Sequence, residues 1–463
     1  MNIAHALRLD SPRASNQTIS LVGAGGKSTV LFQLARQLQS SIVTATAHLG
    51  IWQIPLADHH IIANDLTDLQ NLPRQGVILV TGEIENERTK PVSDITLNWL
   101  REYSKVNNIP LLIEADGSRQ KPLKAPAAHE PPIPEFTKTV IVLAGLASIG
   151  KPLTEDYVHR AEFFSQLSGL QMGETITPQA IISMLAHPLG GLKNIPTTAR
   201  RIALLNQADT PKLDSLGGGM APQLLDHFHS VIVGSCEQNI FHTFEHTAAI
   251  LLAAGEATRF GSPKQLLDWK GKPFVRHIAE TALHSGLWPV VIVTGFHAAE
   301  VESCLKDLPV HIVHNPEYQQ GQSASIKAGL NFISSSACKT SRIDKSDITT
   351  VAFGEFHVGV GAAIFLLADQ PQISSEVIRA LTESHARELQ PILAPLVLEE
   401  RRANPVLFDR VTFLDLLQLT GDIGGRAIFS KYKVEYIPWH DDSLLLDVDS
   451  PEDYQRLVEI EKL

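Results

Sequence analysis

Short apolar runs recur through this chain, and each is followed within three residues by a glycine or a small polar residue. In the first half they fall at 18–22, 41–45, 76–80, 110–113, 139–143, 201–205 and 230–233; in the second, at 248–252, 289–293, 310–313 and 362–367. Each is too short for a helix and is apolar on both faces, the pattern of a strand buried on two sides. Helical segments separate them. The alternation predicts parallel strands with helices on either face, and ligands in such sheets lie beyond the carboxyl ends of the strands. At 463 residues the chain exceeds what one core holds. The expected fold class is α/β, with two doubly wound, mostly parallel-sheet domains over 1–240 and 246–463. The boundary is placed in 236–246, CEQNIFHTFEH. His242 and His246 in that stretch have i,i+4 spacing, but no third ligand accompanies them, so solvated linker histidines are expected. The segment 215–222, with glycines at 217, 218 and 219, is expected to be a flexible loop.

Hydrophobic residues make up 44% and charged residues 19%, which places the chain among ordinary globular proteins. A net charge of −11 argues against general binding to nucleic acid or acidic membranes. No stretch approaches the ~18 consecutive apolar residues of a membrane span. The opening MNIAHALRLDSPRAS has no apolar leader. Cys236, Cys304 and Cys338 show neither CxxC nor metal-ligand spacing. A cytoplasmic protein without structural zinc, acting on small molecules, is expected.

The run at 18–22 opens into Gly23-Ala24-Gly25-Gly26-Lys27-Ser28-Thr29, and a helical pattern follows over 30–38. Glycines let a backbone close around phosphates, Lys27 would neutralise them, and the Ser28 hydroxyl can hold Mg²⁺. Gly25, Gly26, Lys27, Ser28 and Thr29 are therefore candidate nucleotide-binding residues of a P-loop NTPase-like domain. The loop is a shortened variant, because Leu21 stands where GxxxxGK[ST] has its first glycine. A tight turn capping a helix would look similar. Asp116 follows the run at 110–113, where a P-loop protein places the carboxylate that holds Mg²⁺ or its water; an ordinary turn or N-cap Asp is the alternative. Asn206-Gln207-Ala208-Asp209 resembles the NKxD element with which GTP-binding proteins read guanine. A carboxylate there accepts from the ring N–H and the exocyclic amine of guanine together. Gln207 replaces the lysine, and a helix-capping Asp209 would look the same. GTP and ATP are both candidates for this domain.

GAGGKST, EADGSRQKPLKAPAAHEPPIP, YVHRAE and HPLGGLKNIPTTARRIALLNQAD together resemble the YqeC-type proteins linked to selenium-dependent molybdenum hydroxylases. The resemblance covers roughly 15–235, and 116–131 is its most specific part. It implies a nucleotide or cofactor pocket lined by Lys27, Ser28, Asp116, Ser118, Arg119, Lys124 and His129. It also implies a molybdenum hydroxylase of the xanthine dehydrogenase family as a partner.

In the second half, the run at 248–252 ends in a small-residue loop, LLAAGEATRFGSPKQ. Leu252, Ala253, Ala254 and Gly255 would present backbone N–H groups to a polyphosphate, beside Thr258, Arg259 and Lys264. Thr294 and Asn315 end later strands. Ser323 or Ser325 can cap the helix that follows. Asp369 ends the run at 362–367, and Asp449 lies in Asp447-Val448-Asp449-Ser450-Pro451-Glu452. Two aspartates with a triphosphate would satisfy Mg²⁺. Asp449 also reads as a helix N-cap. The segment 334–360 is polar and irregular and receives no role.

LAAGEATRFGSPKQLL, TGF, NPEYQQGQSASIKAGL, LADQP, ANPVLF, GDIGGR and LDVDSPEDY resemble, in order, the molybdenum cofactor cytidylyltransferases among the MobA-like NTP transferases. The resemblance covers roughly 246–463. It implies a Rossmann-like nucleotidyltransferase that joins CTP to the molybdopterin-type cofactor and releases pyrophosphate. Mg²⁺ would sit on Asp369 and Asp449, with Arg259 and Lys264 stabilising pyrophosphate. Asn404, Asp422 and Arg426 are the candidates for the pterin end. Guanylyl members usually read LAGG where this chain reads LAAG, so Ala254 favours CTP. Asn404 stands where R-G-H-P has its histidine, which removes a titratable group. Two further functions fit the residues: nucleotidyl transfer to a sugar or polyol phosphate, and a non-catalytic cofactor carrier or insertion chaperone.

Overall fold

The computed structural model describes residues 1–10, 17–256, 263–335, 352–353, 356–357, 359–398 and 400–460. The chain forms two units: Met1–Phe244, and a second that begins at Glu245.

The first unit is built on a nine-stranded sheet. Its strands, in chain order, are β1 (Thr18–Gly23), β2 (Ser40–Ala45), β3 (His59–Ile62), β4 (Gly76–Thr81), β5 (Leu111–Glu114), β6 (Thr139–Gly145), β7 (Arg200–Asn206), β8 (Ser230–Ser235) and β9 (Ile240–Phe244). They lie in the order β9-β8-β7-β6-β1-β5-β2-β4-β3. All pairs are parallel except β8–β9. Alternate residues of each central strand enter opposite cores. Val22, Ile113 and Val142 pack on one face, and Leu21, Leu112 and Ile141 on the other. The strands are therefore continuous apolar runs, as in other sheets covered on both sides.

Two expectations change here. The stretch read as a linker contains β9, which pairs antiparallel with β8. His242 thus sits in a strand rather than in a linker, with Nδ1 3.3 Å from Asp214 Oδ1. The expected glycine-rich loop is helical, lying within α2 (Pro211–Leu224). Thr210 caps α2 and Pro211 occupies its first turn, both strong start signals. Gly217 is needed for packing. A Cβ there would meet Val233 Cγ1 at 2.5 Å and Leu146 Cδ1 at 3.0 Å. Tertiary contact outweighs the poor helix propensity of three glycines.

The second unit carries a sheet of eight strands. They are β10 (His246–Ala253), β11 (Val290–Thr294), β12 (His311–His314), β13 (Val360–Leu367), β14 (Ile392–Val397), β15 (Arg401–Arg402), β16 (Val406–Asp409) and β17 (Val434–Trp439). The order is β12-β11-β10-β13-β16-β14-β15, with β17 on β14. The first four are mutually parallel, and β16 joins them antiparallel. Strands β14 and β17 carry Pro395 and Pro438, residues that argue against a strand in the sequence. The irregular segment expected at 334–360 falls largely outside the described residues. Among the described residues, no helix is long and apolar enough to cross a membrane.

The two outer glycines of α2's triplet separate packing from propensity. Gly217→Ala is expected to destabilise the protein by about 1–3 kcal/mol through overpacking. Gly219→Ala, whose Cβ would meet nothing within 4 Å, should stabilise it by up to about 1 kcal/mol. Denaturant unfolding of the two variants checks the opposite signs.

Candidate functional site

In the second unit, β10 and β13 are parallel neighbours whose carboxyl ends lie side by side, with Leu252 opposite Leu367. A cavity of about 360 Å³ opens there, walled by Leu252, Ala253, Ala254 and Gly255, by Lys264 and Gln265, and by Asp369. The loop is held close to β11: a Cβ at Gly295 would lie 2.5 Å from Ala254 O. Gln265 is buried and donates through Nε2 to Gly255 O at 3.4 Å.

Opposite, helix α3 (Gln322–Ser334) presents its N-terminus. Neither serine caps it. Its first amide, Gln322 N, donates to Asp422 Oδ1 at 3.1 Å, and Ser323 Oγ donates to Gly421 O at 2.7 Å. The 421–422 turn sits so close that a Cβ at Gly321 (φ +98°) would be 2.5 Å from Asp422 Cα. Ser323 is therefore a structural clasp, whereas Ser325 lines the cavity and accepts from Asn315 Nδ2 at 3.1 Å. Thr294 is fully buried, its Oγ1 without a partner, and it does not line the cavity. Arg426 Nη2 donates to Asn404 Oδ1 at 3.3 Å, which joins those two candidates to each other. Thr258 and Arg259 lie outside the described residues.

Asp369 is the carboxyl that lines the cavity with a raised pKa. Burial pushes its carboxyl up to about 6, the nearby charge of Asp447 adds to the rise, and Lys264 opposes it. Its Oδ1 is buried with no hydrogen-bond partner. Val448 N donates to Asp369 O at 3.2 Å, which docks the segment carrying Asp447 and Asp449 onto the end of β13. Burial, together with the Asp449 charge, raises Asp447 as well, while its side chain accepts from Gln370. Asp449 forms an ion pair with Lys264. It is not the cap of α4 (Pro451–Ile460). Ser450 and Asp453 cap one another reciprocally there: Asp453 N donates to Ser450 Oγ at 3.3 Å and Ser450 N to Asp453 Oδ2 at 3.0 Å. Among the described residues no group of three or more His, Cys, Asp or Glu is arranged to hold a metal alone. The orphaned Asp369 oxygen fits a hard divalent cation that takes one or two carboxylates and fills its shell from phosphate and water. Asp447 was missed in the sequence, although it lies two residues from Asp449.

In the first unit, β1 runs into the glycine loop and α1 (Lys27–Gln37), whose N-cap is Gly26 in the left-handed region. A cleft of about 500 Å³ is lined by Gly26, Lys27, Ser28 and Thr29, by Ser118 and Arg119, and by Gln207. His48 and Glu114, which follow or end strands of the sheet, also face it, as do Trp52 and Arg88, which come from a segment with no motif and are not legible in the sequence. Gly25 turns inward, and a Cβ on it would be 2.4 Å from Gly145 N. Lys27 Nζ donates to Gly23 O at 2.7 Å and lies 3.2 Å from Asp116 Oδ1. Asp116 Oδ2 accepts from Gly23 N at 3.0 Å and from Lys124 Nζ at 2.8 Å. Lys124 Nζ also donates to Glu130 Oε2 at 2.8 Å, and Arg160 reaches both oxygens of Glu130 at 2.8 and 3.0 Å. Burial would raise Glu130, but those hydrogen bonds outweigh it and hold the carboxyl at about 2. Asp116 and Lys124 thus lie behind the loop in a buried charge chain rather than in the cleft. The Ser28 hydroxyl faces Glu114 instead, donating to Oε2 at 3.0 Å. His129 is exposed and does not line the cleft.

A doubly wound sheet with a small-residue loop, a lysine and a buried carboxylate at its carboxyl edge is the architecture of a nucleotidyltransferase. Residues 249–436 match the MobA-like NTP transferase domain and residues 19–162 the YqeC protein family. The uncharacterized protein YqeC of Escherichia coli K12 is 32% identical over 208 residues, covering 41% of this chain and 75% of that protein. Nicotine blue oxidoreductase of Paenarthrobacter nicotinovorans is 31% identical over 219 residues, covering 45% of this chain and 95% of that one. A probable molybdenum cofactor guanylyltransferase of Bacillus cereus strain Q1 is 38% identical over 87 residues, 19% of this chain and 42% of that protein. Rv0371c of Mycobacterium tuberculosis H37Rv, a solved structure, aligns with a TM-score of 0.36 at 23% identity, covering 46% of this chain and 98% of that one. The chain belongs to the YqeC family through its first half and to the MobA-like NTP transferases through its second.

Asp369 also makes a stability prediction. Its carboxyl rises from 3.8 to about 6 on folding, so its favourable contribution is complete below about pH 4 and is lost as pH climbs through 6. In metal-free protein, Asp369→Asn should therefore raise stability at pH 8, by an amount on the order of 3 kcal/mol, and leave it nearly unchanged at pH 4. Urea unfolding at the two pH values, in chelator, measures this.

Proposed function

We propose that the second unit transfers CMP from CTP to the phosphate of a molybdopterin-type cofactor with release of pyrophosphate. The first unit is a nucleotide-binding accessory of the same maturation route, serving a selenium-dependent molybdenum hydroxylase of the xanthine dehydrogenase family. The single observation that carries the reading is Asp369: a buried carboxylate with an open oxygen, facing a small-residue loop and Lys264 across one cavity. A related probable molybdenum cofactor guanylyltransferase supports that cofactor as the acceptor.

In the reaction, an oxygen of the acceptor phosphate forms a bond to the α-phosphorus of CTP. The bond from that phosphorus to the bridging oxygen breaks, and pyrophosphate leaves with the electron pair. A phosphate nucleophile is already anionic at neutral pH, so no side chain need remove a proton. Catalysis then rests on positioning and on neutralising charge. The loop N–H groups of 253–255 and the Lys264 ammonium bind the triphosphate. Asp369 and Asp449 would hold the divalent cation, which neutralises the transferring phosphate. Lys264 now pairs with Asp449, and the arriving triphosphate competes for that ammonium. Asp422 orders the N-terminus of α3 at the cavity wall, and Arg426 and Asn404, hydrogen-bonded to each other, would contact the acceptor.

Pyrophosphate release should occur with CTP and the molybdenum cofactor together, and with no other pairing among the four NTPs. Release from CTP with a sugar phosphate, and none with the cofactor, would overturn the proposal. Asp369→Asn should cut turnover by a factor on the order of 100 or more; a carrier that only delivers cofactor would be unaffected. Ala254→Gly should narrow the preference for CTP over GTP by about tenfold or more, measured as a ratio of kcat/KM values.

A further inference from the structure

The NQAD segment of the first unit is not used by any function assigned above. It ends β7, two strands from β1, in line with the glycine loop: Gly23 pairs with Leu143, and Gly145 with Asn206. Asn206 is buried. Its Nδ2 donates to Gly25 O at 2.7 Å, and its Oδ1 accepts from Cys236 N at 3.2 Å. One side chain therefore locks the glycine loop, the end of β7 and the turn after β8 into a fixed relation.

Asp209 stands in the same corner. Ser235 Oγ donates to Asp209 Oδ1 at 2.5 Å, and Gln238 Nε2 donates to Asp209 O at 2.9 Å. Ser235 Oγ is itself fixed by Gln238 N at 3.1 Å. The side chain of Asp209 is not used as a helix cap, because Thr210 Oγ1 accepts from Leu213 N and caps α2. The carboxylate is oriented by a buried hydroxyl yet exposed to solvent. Two residues before it in the chain is Gln207, held in the left-handed region at φ 64°. Its side chain rests over Gly145, where a Cβ would lie 2.1 Å from Oε1, and that oxygen is buried without a partner. Gln207 lines the same cleft as Lys27, Ser28 and Thr29.

We propose that this corner is a base site and that the first unit binds a guanine nucleotide, with Asp209 reading the base and Gln207 flanking it. The proposal rests on the reading that the glycine loop holds the phosphates. Guanine offers N1–H and the 2-amino group side by side, and one carboxylate accepts from both. Adenine offers an unprotonated ring nitrogen and a C–H on that edge, which would leave the carboxylate unpaired and repel it. Mismatched hydrogen bonds to a charged group are costly, so discrimination of about a hundredfold or more is expected.

The test is titration of the full chain with fluorescent GDP, ADP and XDP. The wild type should bind GDP about a hundredfold more tightly than ADP. Asp209→Asn exchanges acceptor for donor, so it should lose GDP and gain XDP, whose 2-oxo group accepts from the amide. A gain of binding cannot come from misfolding. Lys27→Ala should lose all three diphosphates, which assigns the binding to this unit. Equal binding of ADP and GDP, lost in Lys27→Ala, would overturn the base site and leave the phosphate site standing. Binding unchanged in Lys27→Ala, or no binding at all, would overturn both.

Discussion

Both sheets are buried on both faces, and the chemistry of the chain follows from that constraint. A charged side chain in the middle of β1 or β10 would be desolvated without compensation, so the interior positions carry no charge. Charged residues of the central strands lie at the strand ends, and an interior hydroxyl such as Ser20 is paired, here with Thr137 at 2.9 Å. At the carboxyl ends the backbone turns away from the sheet and its groups are free to meet a ligand. Glu114, Asn206, Ser235, Thr294 and Asp369 all occupy or adjoin such ends. The same apolar demand that builds the cores thus gathers the reactive groups.

Asp116 in the first unit and Asp369 in the second are held in opposite ways. In the first, Lys27, Asp116, Lys124, Glu130 and Arg160 form an unbroken chain of opposite charges. Each buried ion has a partner, so the arrangement adds little net stability but fixes the loop in one geometry. In the second, Asp369 has an open oxygen and two like-charged neighbours, and its raised pKa records that cost. Under the proposed function, the satisfied chain is a scaffold behind a phosphate loop, and the unpaired carboxylate is a group that would take a cation.

The strands with a glycine or polar stop were legible in the sequence, because continuous apolar runs leave few other folds. The glycine loops and Asp369 were legible for the same reason. What stayed hidden was decided by distant contacts. The helix over Pro211–Leu224 depends on Gly217 meeting Val233, which no local propensity reveals. Strand β9 needs its neighbour β8, and β14 and β17 each contain a proline. Asp116 and Lys124 pair behind the loop and line a small, mostly apolar cavity there rather than the cleft of Ser28 and Thr29, because motif spacing gives proximity without direction. Trp52 and Arg88 reach the cleft from a segment with no motif of its own.

The aspartates show where a sequence reading leaves a real ambiguity and how packing resolves it. Asp209 and Asp449 each precede a helix, so each could have been a cap. In both places the next residue carries a hydroxyl that does the capping instead, Thr210 for one helix and Ser450 for the other. A cap needs only one acceptor at one position. Once the neighbour supplies it, the carboxylate is released toward the end of the sheet. It then has two fates, both seen here: Asp209 is oriented by Ser235, and Asp449 is engaged by Lys264. Pairing a hydroxyl cap with an adjacent aspartate therefore serves two demands that a lone aspartate could not meet together. The helix start is satisfied, and a carboxylate remains available for another contact at the end of the sheet.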